Sequence, residues 1–168
     1  MAQAVEDGAD IINLSLNGIG EPPSLIKEAI QDAYKNGVIC VVAAGNYNDD
    51  VSYYYPANMD EVFTVGAVDN RGNPCFLSNY GEELDFVAPG YQIEVYGTNA
   101  SLDKPQYVNG TSYAAPFIAA ASAVALSVHP DYSVEEIKQV LIDSCVTKND
   151  LAYSSPYLRD VEIKDSSL

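Results

Sequence analysis

From Ala114 to Val128 the chain runs fifteen residues without a charge, and only Pro116, Ser122 and Ser127 break the apolar series. A helix that is apolar all round needs cover on every side, so this segment is expected to be the central helix of a layered domain. It falls short of the ~20 apolar residues that span a bilayer, and Pro116 sits in its first turn, where proline is tolerated. Just ahead stand Gly110, Thr111 and Ser112. A serine at a helix start lies beside unpaired N–H groups and the positive end of the dipole. By itself Ser112 reads as an N-cap. On a rigid buried helix the same hydroxyl also suits a nucleophile, with the N–H groups ready to hold an oxyanion.

The remaining pattern is that of an α/β fold. Ile11–Leu16 is a short apolar run suited to a buried strand. The stretch PPSLIKEAIQDAYKNG puts Leu25, Ile26, Ala29, Ile30, Ala33 and Tyr34 on one helical face, and Gly37 marks its end. Val38–Ala44 and Val62–Val68 read as strands again, and strand, helix, strand at this spacing predicts parallel pairing. Asp69–Tyr107 is turn-rich with short β runs, one of them ending at Pro89-Gly90. Ser133 and Glu136 form a capping box ahead of a last amphipathic helix carrying Val134, Ile137, Val140 and Leu141. Residues 147–168 have no period and are expected on the surface. With no linker or repeat, residues 1–168 read as one unit.

Charge narrows the partners. Eight basic against 24 acidic residues leave a net charge of −16, which argues against nucleic acid and against an anionic membrane surface. Solubility is the simpler account of that charge; a preference for basic substrates is the second. Cys40, Cys75 and Cys145 are too few and too scattered for a disulfide framework or a zinc cluster, and Cys40 reads as a core residue. Free thiols, acidic charge and a start lacking a basic, then apolar, leader point to the cytoplasm rather than to secretion. No Gly-rich loop follows a strand, which argues against a nucleotide-binding domain.

A second group of candidates ends the central strand. In Ala43-Ala44-Gly45-Asn46 the alanines clear space, Gly45 permits a tight backbone, and Asn46 offers amide donors where open α/β sheets bind ligands. The alternative is a plain Gly-Asn turn. Paired with Ser112, Asn46 becomes a candidate side-chain donor to an oxyanion.

GADIINLSL, VVAAGN, FVAPG and GTSYAAP, in this order and at these separations, resemble the subtilisin-like serine proteases from about Gly8 to about Val146. The resemblance implies a subtilisin-like parallel sheet flanked by helices, a polypeptide substrate and no required cofactor. It maps the nucleophile to Ser112 and the oxyanion donor to Asn46. Substrate would add as a β-strand along Ser15, Leu16, Asn17 and Gly18, facing Ala43, Ala44 and Gly45. Tyr54, just before Tyr55-Pro56, would floor the pocket for the residue preceding the scissile bond. A weak site for Ca²⁺ or a monovalent cation would use the carbonyls of Ala57, Met59 and Val62 with Glu83 and Asp85; two solvated acids are the simpler reading.

The departures carry equal weight. Tyr113 replaces the family's methionine, Phe117-Ile118-Ala119-Ala120 its His-Val-Ala-Gly, and Asn17 a glycine. The family's aspartate and histidine motifs, which precede all of these, are not present. His129 follows Ser112 by seventeen residues along one helix, roughly 25 Å, whereas proton transfer needs about 3 Å. The chain is therefore expected to be the nucleophile and oxyanion half of a protease lacking the N-terminal part of its domain, inactive alone, and completed by that part in cis or in trans. The rival expectation is a catalytically dead module that binds peptides or partners.

Overall fold

Ile39–Ala43 and Val62–Val68 are buried at every residue. Strands buried on both faces require a layer on each side, and helices supply it in parallel α/β sheets. In the computed structural model, which describes residues 1–96, 105–147 and 162–163, the chain opens with a short helix α1 (Ala2–Glu6). Strands β1 (Ile11–Leu14) and β2 (Gly18–Ile19) lead to α2 (Ser24–Lys35) and β3 (Ile39–Ala43). A single 3₁₀ turn at Val51–Tyr53 precedes β4 (Tyr54–Tyr55), followed by β5 (Val62–Val68) and β6 (Phe86–Pro89). Then come β7 (Ile93–Val95), β8 (Gln106–Val108), α3 (Thr111–Val128), α4 (Val134–Ser144), β9 (Val146–Thr147) and β10 (Glu162–Ile163).

The sheet runs β1-β3-β5-β6, parallel throughout, as the strand–helix–strand spacing predicts. Alternation along the strands divides the core in two. Ile39, Val41, Ala43, Phe63, Val65 and Ala67 face Ala114, Ala115 and Ile118 of α3. Cys40, Val42 and Ala44 point the other way, onto Ile30 and Ala33 of α2. The end of β6 meets the start of α3 at Gly90, whose carbonyl accepts the Gly110 N–H at 2.8 Å. A Cβ on Gly90 would stand 2.6 Å from the Ala67 Cβ and 2.8 Å from the Gly110 carbonyl oxygen, so only glycine lets these elements touch.

Two expectations need correction. Leu25 is 78% exposed. The core-facing line of α2 is the buried Ile30 and Ala33 with the half-buried Ile26, and Leu25 stands about 140° around the helix from Ile30, which turns it away from the sheet. The second concerns α3, which is not covered on every side: Phe117 is 50%, Val124 66% and Val128 65% exposed. Its sheet-facing stripe is buried, while the opposite stripe has no cover among the described residues. With eighteen residues α3 is also longer than the apolar run suggested, and by length and composition it could cross a membrane. Its packing across β1, β3, β5 and β6 makes it the core helix of the sheet. Most of the expected tail, residues 147–168, lies outside the described residues; within it Glu162–Ile163 pairs antiparallel with Val146–Thr147.

Cys40 and Cys75 are buried and Cys145 is half-buried. Burial pushes the Cys40 thiol up to about 11, which leaves little thiolate at neutral pH. In the folded chain a thiol reagent is expected to modify Cys145 first, and Cys40 and Cys75 only after unfolding. Native-rate labelling of Cys40, read by mass spectrometry, would contradict the placement of β3 inside the sheet.

Candidate active site

The carboxyl end of β3 and the amino end of α3 are joined by one buried side chain. Thr111, fully buried, is the first residue of α3; its hydroxyl accepts the Gly45 N–H at 3.1 Å and donates to Asn46 Oδ1 at 3.0 Å. The Thr111 N–H donates to the same Oδ1 at 2.9 Å. A backbone N–H can only donate, so the amide orientation of Asn46 is forced: Oδ1 faces Thr111, and Nδ2 points away. Nδ2 lies beside Gly110, where a Cβ would stand 3.3 Å from it.

Ser112 is the second residue of α3, and Gly110 holds the N-cap position without a side-chain bond. The N-cap reading of Ser112 is thereby corrected: the N-cap is Gly110, two residues earlier, so the Ser112 hydroxyl is free for other partners. It donates to the Ser15 carbonyl at 3.4 Å, and Ser15 Oγ donates back to the Ser112 carbonyl at 3.0 Å. The Ser112 N–H, in the first turn, has no carbonyl one turn behind it to bind. A serine hydroxyl, a backbone N–H and an oriented amide are thus gathered within three bonded neighbours, and together they suit an acyl-transfer oxyanion.

Around this centre two short segments face each other. Ser15 to Gly18 extends past β1 and is pinned where β2 pairs with β4, Gly18 opposite Tyr55 and Ile19 opposite Tyr54. Ala43 to Asn46 continues β3 and turns at Gly45, whose φ of +109° suits glycine. Asn17 Nδ2 crosses between the two segments to the Ala43 carbonyl at 3.1 Å. Tyr54 is 5% exposed, stacks on Tyr47 at 5.0 Å and donates its hydroxyl to Asp49 Oδ2 at 3.1 Å. Burial, and then that bond, pushes the Tyr54 hydroxyl up.

Sequence reasoning did not single out Asn79 or the role of Thr111. Asn79 is 1% exposed; its Nδ2 donates to the Ala44 carbonyl, and its Oδ1 accepts the N–H groups of Tyr47 and Asp49. It therefore holds the turn that carries Asn46. Its setting in FLSNYG reads as an ordinary polar turn, whereas Thr111 was adjacent to a flagged residue. His129 lies at the far end of α3, stacked on Tyr132 at 4.3 Å.

Several of the expected cation ligands have protein partners of their own. The Ala57 carbonyl accepts the Thr64 hydroxyl at 2.7 Å. Asp85 pairs with Lys138 at 2.7 Å and accepts the Thr64 N–H at 2.9 Å. Met59 and Glu83 line a polar hollow with Glu21, Asp60, Glu61 and Lys27.

A family model for the subtilase family matches residues 1–157. The chain belongs to the subtilase family. Subtilisin DY of Bacillus licheniformis is 38% identical over 162 residues, covering 95% of this chain and 58% of its own length. The major intracellular serine protease of Bacillus subtilis (strain 168) is 39% identical over 145 residues, covering 84% of this chain and 43% of that protein. A solved protease structure from Pseudoalteromonas arctica PAMC 21717 superposes with a TM-score of 0.75 at 35% identity, over 83% of this chain and 45% of that one. The α/β subtilisin-like fold expected from the motifs is thus borne out, and this subtilase chain spans about half the length of these relatives.

Burial raises the Asp85 carboxyl above its ordinary value, against the opposing pull of Lys138 and the Thr64 N–H. A raised carboxyl stabilises the fold while protonated: the contribution is complete below the ordinary carboxylate range and is lost as pH rises through the raised value. Lys138→Ala takes the cation from the mostly buried Asp85 carboxyl and is expected to cost about 1–3 kcal/mol at neutral pH. The loss should shrink in acid, where Asp85 takes up a proton. Urea titrations at both pH values check this; an equal loss at both would show that Lys138 acts otherwise.

Proposed function

We propose that this chain carries the nucleophile and oxyanion half of a subtilisin-type serine endopeptidase. The observation that carries the reading is the forced orientation of Asn46, whose Oδ1 is held by Thr111 and whose Nδ2 is left to donate. Ser112 Oγ attacks the scissile carbonyl carbon, and the carbonyl π electrons move to oxygen. Asn46 Nδ2 and the Ser112 N–H hold that oxyanion. The Ser112 proton passes to a histidine base, which returns it to the departing amine as the C–N bond breaks, leaving an ester on Ser112. Water then repeats the cycle and frees the serine. A polypeptide substrate extends along Ser15–Gly18, and no cofactor enters the scheme.

His129, this chain's only histidine, cannot be that base from the far end of α3. The base and the aspartate that orients it belong to polypeptide outside these 168 residues, joined or separate. A second reading, a module that binds peptides without cutting them, is favoured by the same missing histidine and by the Ser112 hydroxyl resting on the Ser15 carbonyl.

In a complete enzyme Asn46→Leu is expected to lower kcat about 10²–10³-fold with KM nearly unchanged, because the amide meets the oxyanion only as it forms. That magnitude is borrowed from the subtilisin case itself. Normal kcat in the variant would reduce Asn46 to a turn residue.

Tyr54, 5% exposed and by the resemblance at the base of the pocket for the residue preceding the scissile bond, is read as shortening that pocket. Cleavage is therefore expected after small or medium side chains. Profiling on a peptide library measures this, and dominant cleavage after Phe or Tyr would refute it.

A further inference from the structure

The asparagine at position 17 does something that a glycine there cannot. Its side chain, half-buried, reaches from the Ser15–Gly18 segment to the Ala43 carbonyl at 3.1 Å. Only an N–H donor can bind that oxygen, so the amide presents Nδ2 to it and its orientation is settled. The same Nδ2 lies 2.9 Å from where a Cβ on Gly45 would be, and the amide of Asn79 crowds that point from another side. The two segments are each fixed independently. Gly18 pairs with Tyr55 and backs onto its ring, while Asn79 ties Ala44 and Tyr47. Asn17 is thus a crossbar between two rigid walls.

We propose that Asn17 is a specificity-determining residue: its amide straps the two walls together and closes the slot between them to large side chains. The inference rests on the proposed binding of peptide along Ser15–Gly18, where the residue preceding the scissile bond places its side chain in that slot. A small side chain fits beneath the intact strap. A large one must displace the amide, which strips the Ala43 carbonyl of its partner, and a buried acceptor without a partner is costly. Asn17 thereby sets the width of the slot.

The strap is tested by binding, independently of turnover. Two acetylated tetrapeptides, identical except for a C-terminal Ala or Phe, are titrated against the 168-residue chain by fluorescence anisotropy. The wild-type chain is expected to favour the Ala peptide. Asn17→Gly should shift the affinity ratio toward Phe by about tenfold or more, the scale on which apolar pockets discriminate. Asn17→Asp keeps the size but cannot donate to Ala43, and should shift the ratio severalfold in the same direction. Thermal melting confirms the fold of each variant, with Asn17→Ala replacing Asn17→Gly if the latter is unfolded. An unchanged ratio in the Gly or Ala variant overturns the proposal. So does a shift there with Asn17→Asp matching wild type, since bulk alone would then account for the effect. Longer peptides with the same residues at the cleavage point are then offered to the chain assembled with its histidine- and aspartate-bearing part. Shifted binding ratios without any turnover would sink the proteolytic reading and leave the strap standing.

Discussion

The buried Thr111 hydroxyl, bound to the Gly45 N–H and to Asn46 Oδ1, is the contact on which the rest of the site depends. It ties the end of the central strand to the first turn of the core helix. With the Thr111 N–H, which donates to the same Oδ1, it fixes the orientation of Asn46, and it adds a strand-to-helix tie beside the one between Gly90 and Gly110. A hydroxyl both accepts and donates, so one side chain satisfies two buried polar groups at once. Valine, its nearest isostere, would leave the Gly45 N–H without its acceptor and Asn46 Oδ1 with only the backbone N–H of residue 111.

Packing beneath this contact explains its rigidity. The small residues Ala114 and Ala115 let α3 lie close on Ala43, Val65 and Ala67, and Gly90 lets β6 touch the helix start. Asn79 clamps the turn from the other side. The polar groups of the site are therefore held from both sides by these residues. What is not complete is the proton path. A nucleophile is activated by a base within hydrogen-bond reach, and among the described residues the Ser112 hydroxyl meets the Ser15 carbonyl, which accepts but cannot carry the proton onward.

Much of this was legible in the residues, for identifiable reasons. Val62–Val68 reads as a strand because its apolar character is uninterrupted, and the structure buries all seven positions. Gly37 ends α2 because a positive φ, here +78°, is needed there. Local pattern failed where burial depends on distant chain. An apolar helix gives no sign of which stripe will be left open, so Phe117, Val124 and Val128 looked as buried as Ile118. Leu25 precedes Ile26 in an apolar pair, and the pair by itself does not show which of the two turns to the sheet. Asn79 and Asn17 act through side-chain bonds to residues 35 and 26 positions away. Nothing in their immediate neighbours signals such partners. The partner of Asp85 was hidden for a related reason: Lys138 lies 53 positions along the chain.

That the site is organised but lacks its base is tested most directly by labelling Ser112 with a fluorophosphonate probe at neutral pH. The 168-residue chain alone, confirmed folded, should label no faster than its Ser112→Ala variant. Addition of a polypeptide bearing the family's aspartate and histidine motifs should bring rapid labelling confined to Ser112. Efficient labelling of Ser112 in the chain alone would contradict this, because it would require a base within reach of the hydroxyl.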